Sequence, residues 1–199
     1  ILIMSVVIHE FSHGAIAYAL GDKTAKYQGR LTLNPLPHID PIGSVILPVV
    51  FTLLGAPAFG WAKPVPYNPY NLRNQRWGPA LVGAAGPLSN LFIAVVFGLV
   101  ARFGIQGSYG FLPEQSLQAF IQIALIITSI NVALAILNLM PIPPLDGSKI
   151  LFALLPNQGY RLQAFFETYG LVLIIPVIII IGPIIAQISS VILRLILGL

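Results

Sequence analysis

Apolar residues fill four long runs of this chain, and polar residues, Gly and Pro crowd between them. The runs cover roughly 1–20, 79–103, 117–140 and 170–198. About 20 apolar residues of helix cross the hydrocarbon core of a bilayer, so each run predicts a membrane-spanning helix. The last run holds Pro176 and the pair Gly182-Pro183, which predicts a kink or a break into two short helices. A fifth apolar stretch, 42–60, is shorter, follows Pro41, contains Pro48 and has Gly55 and Pro57 near its end. It reads either as a full crossing or as a re-entrant loop, since irregular backbone is tolerated at membrane depth where it lines a protein cavity.

The segment between the first two runs is different in kind. Thr32-Leu33-Asn34-Pro35-Leu36-Pro37 and Lys63-Pro64-Val65-Pro66-Tyr67-Asn68-Pro69 do not fit a helix interior. Short β or extended elements are expected at 28–33 and 63–67. The fold class that follows is an all-α integral membrane protein. It is a multi-helix transmembrane bundle with a re-entrant or extended segment and short β elements within 28–67. One membrane-embedded domain, 1–199, accounts for the length.

Composition strengthens this reading. The 199 residues are 57% hydrophobic and only 8% charged, with mean hydropathy +0.89. Soluble domains carry about 25% charge. The absence of cysteine excludes disulfides and thiolate metal sites, so any metal must be held by His, Asp, Glu or backbone groups. The net charge of +4 is spread over loops, without a basic run that points to nucleic acid. The first residue is Ile, which suggests a processed chain or a fragment. Residues 1–20 lack the basic flank of a signal peptide.

Charge placement bears on topology. If 42–60 dips and returns, residues 21–78 lie on one side with Lys23, Lys26, Arg30, Lys63, Arg73 and Arg76. The loop near 103–117 has at most Arg102 beside it. That asymmetry places 21–78 in the cytoplasm. If 42–60 crosses, the six divide three and three and the signal vanishes. The re-entrant reading is therefore preferred. It puts His9 about 11 residues, roughly 16 Å, above the cytoplasmic end of the first helix.

Chemistry concentrates at His9-Glu10-Phe11-Ser12-His13, inside the first apolar run. Two His four apart on a helix share one face and can reach one Zn²⁺, and the Glu after the first can take a proton from water at the metal. Ionisable residues in a bilayer helix are costly without a function. A hydrolytic zinc needs a third protein ligand and an open position. Asp22, Asp40 and His38 lie in the polar loop, while Glu114 and Glu167 flank later spans. Asp146 ends Asn138-Leu139-Met140-Pro141-Ile142-Pro143-Pro144-Leu145-Asp146-Gly147, where three prolines would give an extended approach that aims it into the bundle.

His-Glu-x-x-His in a membrane helix, followed by Asn-x-x-Pro-x-Pro-x-Leu-Asp-Gly, resembles the site-2 protease family of intramembrane zinc metalloproteases. Gly86-Pro87-Leu88-Ser89-Asn90, at the opening of the middle helix, resembles that family's Gly-Pro-x-x-Asn element. Gly60-Trp61-Ala62-Lys63-Pro64-Val65-Pro66 resembles a branch of small prokaryotic members. The likeness covers about 1–155, without a PDZ-like insert, and leaves 42–60 and the final span 170–198 as additions. It implies a three-helix catalytic core and one Zn²⁺ per chain held by His9, His13 and Asp146, with Glu10 as general base. Asn138 matches an asparagine that holds substrate backbone or the oxyanion; Asn90 serves packing or substrate contact. The implied substrates are transmembrane segments or signal-peptide remnants, cut in a prokaryotic cell membrane by a site open to the cytoplasm. The partners are then these substrates and the lipid bilayer.

Two other readings stay open. One is a different membrane zincin with Glu114 or Glu167 as third ligand. The other is a non-proteolytic metal transporter or scaffold. His38 reads as an interfacial residue held by Asn34 or Asp40, and Tyr67, Tyr70 and Trp77 as interfacial aromatics. Extended segments at 28–33 or 63–67 would accept an unwound substrate by strand addition.

Overall fold

The structure is a computed structural model and describes residues 1–53, 55, 60–106, 113–155 and 160–198. Its helices are α1 (Leu2–Ala19), α2 (Thr24–Tyr27), α3 (Leu47–Leu53), α4 (Gly78–Gln106), α5 (Glu114–Asn138), α6 (Gly147–Leu154) and α7 (Tyr160–Leu197). Among the described residues, four stretches are long and apolar enough to cross a membrane: Leu2–Ala19, Gly78–Gly104, Glu114–Asn138 and Ile180–Leu197. The protein is an all-α, multi-pass membrane protein.

Helix α4 is the hub and packs against α1, α5, α6 and α7. Its buried face explains why. Gly83, Gly86, Pro87, Asn90, Ala94, Gly98 and Ala101 recur at helical spacing and are buried. Small side chains let neighbouring backbones approach, which is how helices associate where lipid is as apolar as leucine. The large residues Leu81, Leu88, Phe92, Val96, Val100 and Phe103 point outward and are exposed on the bundle surface. Gly98 shows the closeness: a Cβ there would collide with Ile196 of α7. The element containing Pro87 does not open α4 as the sequence suggested. Pro87 lies inside the helix, more than two turns from its start at Gly78.

The 42–60 stretch forms a π-turned segment, Pro41–Ile46, running into α3. Asp40 caps it by accepting from the amides of Ile42 (3.0 Å) and Gly43 (2.7 Å). Pro41–Leu53 falls short of a crossing helix. The chain then comes back to its starting point. Trp61 N–H donates to Gly43 O (3.1 Å), Lys63 N–H to His38 O (2.9 Å) and Ser44 Oγ to Trp61 O (2.8 Å). Residues 54 and 56–59 of this stretch, and 107–112 of the 103–117 loop, lie outside the described residues.

Three expectations need correction. No strand forms among the described residues. Residues 28–33 are turns and bends, and 60–68 is irregular. The reason lies in where the backbone groups of 63–66 go. The Arg30 guanidinium donates to Lys63 O (2.6 Å) and Pro64 O (3.1 Å), and Val65 N–H donates to Glu10 (2.7 Å). Lys63 N–H is used by His38, and Pro64 and Pro66 have none. Four residues in a row thus have no free donor for a β-ladder, which also removes the basis for strand addition at 63–66. Second, the last run does not break into two short helices: α7 runs as one helix through Pro176 and Pro183. Each ring removes one N–H bond, and the φ of proline still fits a helix. Third, Asp146 arrives through turns rather than an extended approach. Ile142 N–H bonds to Met140 O, Leu145 N–H to Ile142 O, and Asp146 has helical backbone angles at the N-terminus of α6.

Candidate metal centre

His9 and His13 point from the buried face of α1 toward α4. Helical spacing sets their rings one turn apart, with centroids 4.6 Å from each other. The turn-rich stretch after α5 brings in Asp146. Its Oδ2 lies 3.0 Å from both His9 Nε2 and His13 Nε2, and the two Nε2 atoms are 3.0 Å apart. All three residues are buried. They form a cluster able to hold a metal, with one donor atom each.

Each imidazole is oriented by its other nitrogen. His13 Nδ1 is 2.6 Å from Val82 O, a carbonyl that can only accept, so Nδ1 carries the proton and Nε2 keeps its lone pair. His9 Nδ1 is 2.6 Å from Asn90 Oδ1, and the same logic applies. Gly86 completes the cradle, because a Cβ there would stand 2.5 Å from Nε2 of both rings. Two imidazole lone pairs and one carboxylate oxygen converging on a buried point are the donor set of a hydrolytic zinc site. The residues fit that ion.

Asn90 is completely buried and belongs to a network rather than to packing alone. Its Nδ2 donates to Asn131 Oδ1 (2.8 Å), and Asn131 Nδ2 donates to Ser5 Oγ (2.9 Å) and Ile127 O (2.8 Å). Sequence reading gave Asn90 only a vague role and passed over Asn131 and Ser5. The signal available was two amides deep inside apolar runs, each needing a partner.

Glu10 is half-buried and turns its Oε2 toward the 60–68 segment, accepting from Val65 N–H. Lys149 was also missed; its Nζ is 2.8 Å from Asp146 Oδ1. Tyr67 lies beside it, its ring centroid 5.6 Å from Lys149 Nζ. Burial pushes the Tyr67 phenol above its usual range, with the Lys149 charge opposing.

Other expected residues stand apart. Asn138 Nδ2 donates to Leu134 O of its own helix (2.9 Å), and among the described residues no hydrogen bond joins it to the cluster. Glu114 is exposed at the start of α5 and is not in the cluster; the side chain of Glu167 lies outside the described set. His38 is buried and bonds to Thr32 O (3.0 Å) rather than to Asn34 or Asp40, whose side chains cap Leu36 and Ile42. Tyr70 and Trp77 are exposed as expected, whereas Tyr67 packs against Ala17, Leu72 and Val82.

Below the site, Asp22 ties the polar loop to the end of α1. It accepts from Thr24 Oγ1 (2.6 Å), Thr24 N–H (3.2 Å), Asn71 Nδ2 (2.9 Å) and Asn68 N–H (2.8 Å). Burial alone would raise its pKa, but these donors outweigh it and hold the carboxyl below the usual 3.8.

Known proteins bear on this arrangement. Over 175 residues the chain is 37% identical to "Putative zinc metalloprotease YwhC" of Bacillus subtilis, an overlap of 86% of this chain and 74% of that protein. The chain belongs to peptidase family M50. The pattern of Peptidase family M50 also matches residues 104–182, which include Asp146. "Putative zinc metalloprotease Rip2" of Mycolicibacterium smegmatis is 30% identical over 89% of this chain, which spans 64% of that relative's length. A Thermotoga maritima "Putative zinc metalloprotease" is 32% identical over 45% of this chain and 17% of its own. No solved structure matches. For this M50 peptidase the structure adds the groups that orient His9, His13 and Asp146.

Proposed function

We propose that the chain is an intramembrane zinc endopeptidase that hydrolyses peptide bonds of transmembrane protein segments, including signal-peptide remnants. The observation that carries the reading is the convergence of His9, His13 and Asp146 beside Glu10, on a helix apolar enough to span a membrane. His9, His13 and Asp146 are the ligands of one Zn²⁺. Zinc, when bound there, acidifies water and polarises the scissile carbonyl. Glu10 takes the proton of the attacking water and delivers it to the leaving amine. His9 and His13 stay fixed through their bonds to Asn90 and Val82. Substrate must unwind first, because a helical carbonyl is already hydrogen-bonded. Asn138 serves the substrate backbone or the oxyanion only if it leaves Leu134 O for the bound peptide.

The site opens to the cytoplasm in this reading. The return of the 42–60 stretch to residues 38–44 supports a re-entrant loop. That keeps Lys23, Lys26, Arg30, Lys63, Arg73 and Arg76 on one side, against Arg102 and Arg194 at the other end. A Glu-ligated zincin is less well supported, since Glu114 is exposed and outside the cluster. Purified wild type and Glu10→Gln, loaded to equal zinc content, decide the matter on a synthetic transmembrane substrate. Cleavage by wild type and its loss in Glu10→Gln are expected; equal activity in both would sink the protease reading.

A further inference from the structure

The two oxygens of Asp146 face different partners. Oδ2 meets both imidazoles, and Oδ1 is 2.8 Å from Lys149 Nζ. The lysine is held in this pose from several sides. It sits three residues after Asp146 in the first turn of α6, and its own amide bonds to Asp146 O (3.0 Å). Gly83 of α4 leaves room for the stem, because a Cβ at 83 would lie 3.0 Å from Lys149 Cβ and 3.1 Å from Cδ. The Tyr67 ring covers the ammonium at 5.6 Å. A lysine whose only task were solubility would extend its head into water. This one is confined over a carboxylate oxygen.

We propose that Lys149 is a positioning residue that keeps Asp146 a one-oxygen ligand. The inference rests on the metal-site reading above. A carboxylate can bind a metal through one oxygen or both. Two-oxygen binding would occupy the position a hydrolytic zinc site keeps open for water. The Lys149 ammonium engages Oδ1 and carries no lone pair of its own to compete for the metal. Groups that orient ligands in this way commonly change metal affinity or activity by about 10–100-fold when removed.

The test uses the full chain with Co²⁺ in place of zinc, because cobalt absorbs strongly when four-coordinate and weakly when five-coordinate. Wild type, Lys149→Arg, Lys149→Gln and Lys149→Met are compared for cobalt content, visible absorption and cleavage kinetics. Lys149→Met should keep one cobalt per chain, lose several-fold in band intensity and lose about 10–100-fold in kcat at unchanged KM. Lys149→Arg and Lys149→Gln retain a donor and should keep the wild-type spectrum. A weakened band in both would overturn the proposal even if Lys149→Met failed to fold. A wild-type spectrum and kcat in Lys149→Met would overturn this inference alone. A wild-type chain that takes up no cobalt would overturn the metal centre and this inference with it.

Discussion

Helix α4 and the Ile180–Leu197 part of α7 are both apolar enough to cross a membrane, but they use that character differently. Along α4 most large side chains face out, and the inner face is mainly glycine and alanine, with Val82, Pro87 and Asn90 among them. Along Ile180–Leu197 no residue is buried, and Ile180, Ile184, Ile188, Val191 and Leu195 are exposed. Hydropathy alone therefore does not say which membrane helix carries chemistry. The deciding feature is what occupies the inner stripe. A helix with small residues on its buried face can bring its backbone against the imidazoles, whereas Ile180–Leu197, with no buried face, braces the outside.

The sharpest way to break this comparison is to add one methyl group to each helix. Gly86→Ala puts a Cβ 2.5 Å from both imidazoles, so metal should be lost and cleavage should fall by at least about 100-fold. Gly182→Ala meets nothing within 4 Å, so activity should stay within about a factor of two, with slightly higher helix stability. Zinc content and cleavage rate, measured on both variants, check this. Similar losses in the two would show that the inner stripe is not special.

Next in size is Asn90→Ala. It removes the acceptor for His9 Nδ1 and leaves Asn131 short of a partner. Zinc affinity should weaken by about 10–100-fold, read by competition with a chelator. An unchanged affinity would mean that His9 is oriented by packing alone.

The residues of the proposed site were legible because they are out of place. His9, Glu10 and His13 interrupt an apolar run, and Asp146 ends a proline-rich one. The helices were legible for the opposite reason, as uninterrupted apolar stretches. Sequence could not show that Lys149 and Arg30 turn inward, because a basic residue in a loop reads first as solvated. Nor could it show that 63–66 would give its backbone groups to Arg30, Glu10 and His38, since pairing by side chains over long separations leaves no periodic trace. The continuity of α7 escaped for a third reason: proline ends most helices in water, whereas a break in a membrane helix would strip more backbone groups of partners, and the few that proline frees are re-satisfied locally.

A smaller effect is expected from pH at the polar loop after α1. The folded carboxyl of Asp22 titrates below its ordinary 3.8, so its contribution is complete above that value and is lost as pH falls through the lower folded value. The loop at 68–71 should loosen only in strong acid, seen as protease nicking of that loop in detergent. Asp22→Asn should nick at all pH values and lose the dependence. The spectrum of α7 should be indifferent over the same range.

The smallest effect is expected at the contact between the two helices. Gly98→Ala collides with Ile196 and should destabilise by about 1–3 kcal/mol, seen as a lower melting temperature. Metal content should not change, because the collision falls on the bracing helix. Loss of metal in Gly98→Ala would make α7 part of the catalytic apparatus.

The hydrogen bond from Val65 to Glu10 has an entropic meaning. A free glutamate side chain gives up as much as roughly 1.5–2 kcal/mol of rotamer freedom when it is fixed in one pose. Here that loss is settled as the chain folds, at 2.7 Å from a backbone amide, and not as the reaction begins. About 1.4 kcal/mol removed from a barrier is a tenfold rate, so with Glu10 as the proposed base an amide in a segment with no catalytic group of its own would set part of the speed of the reaction.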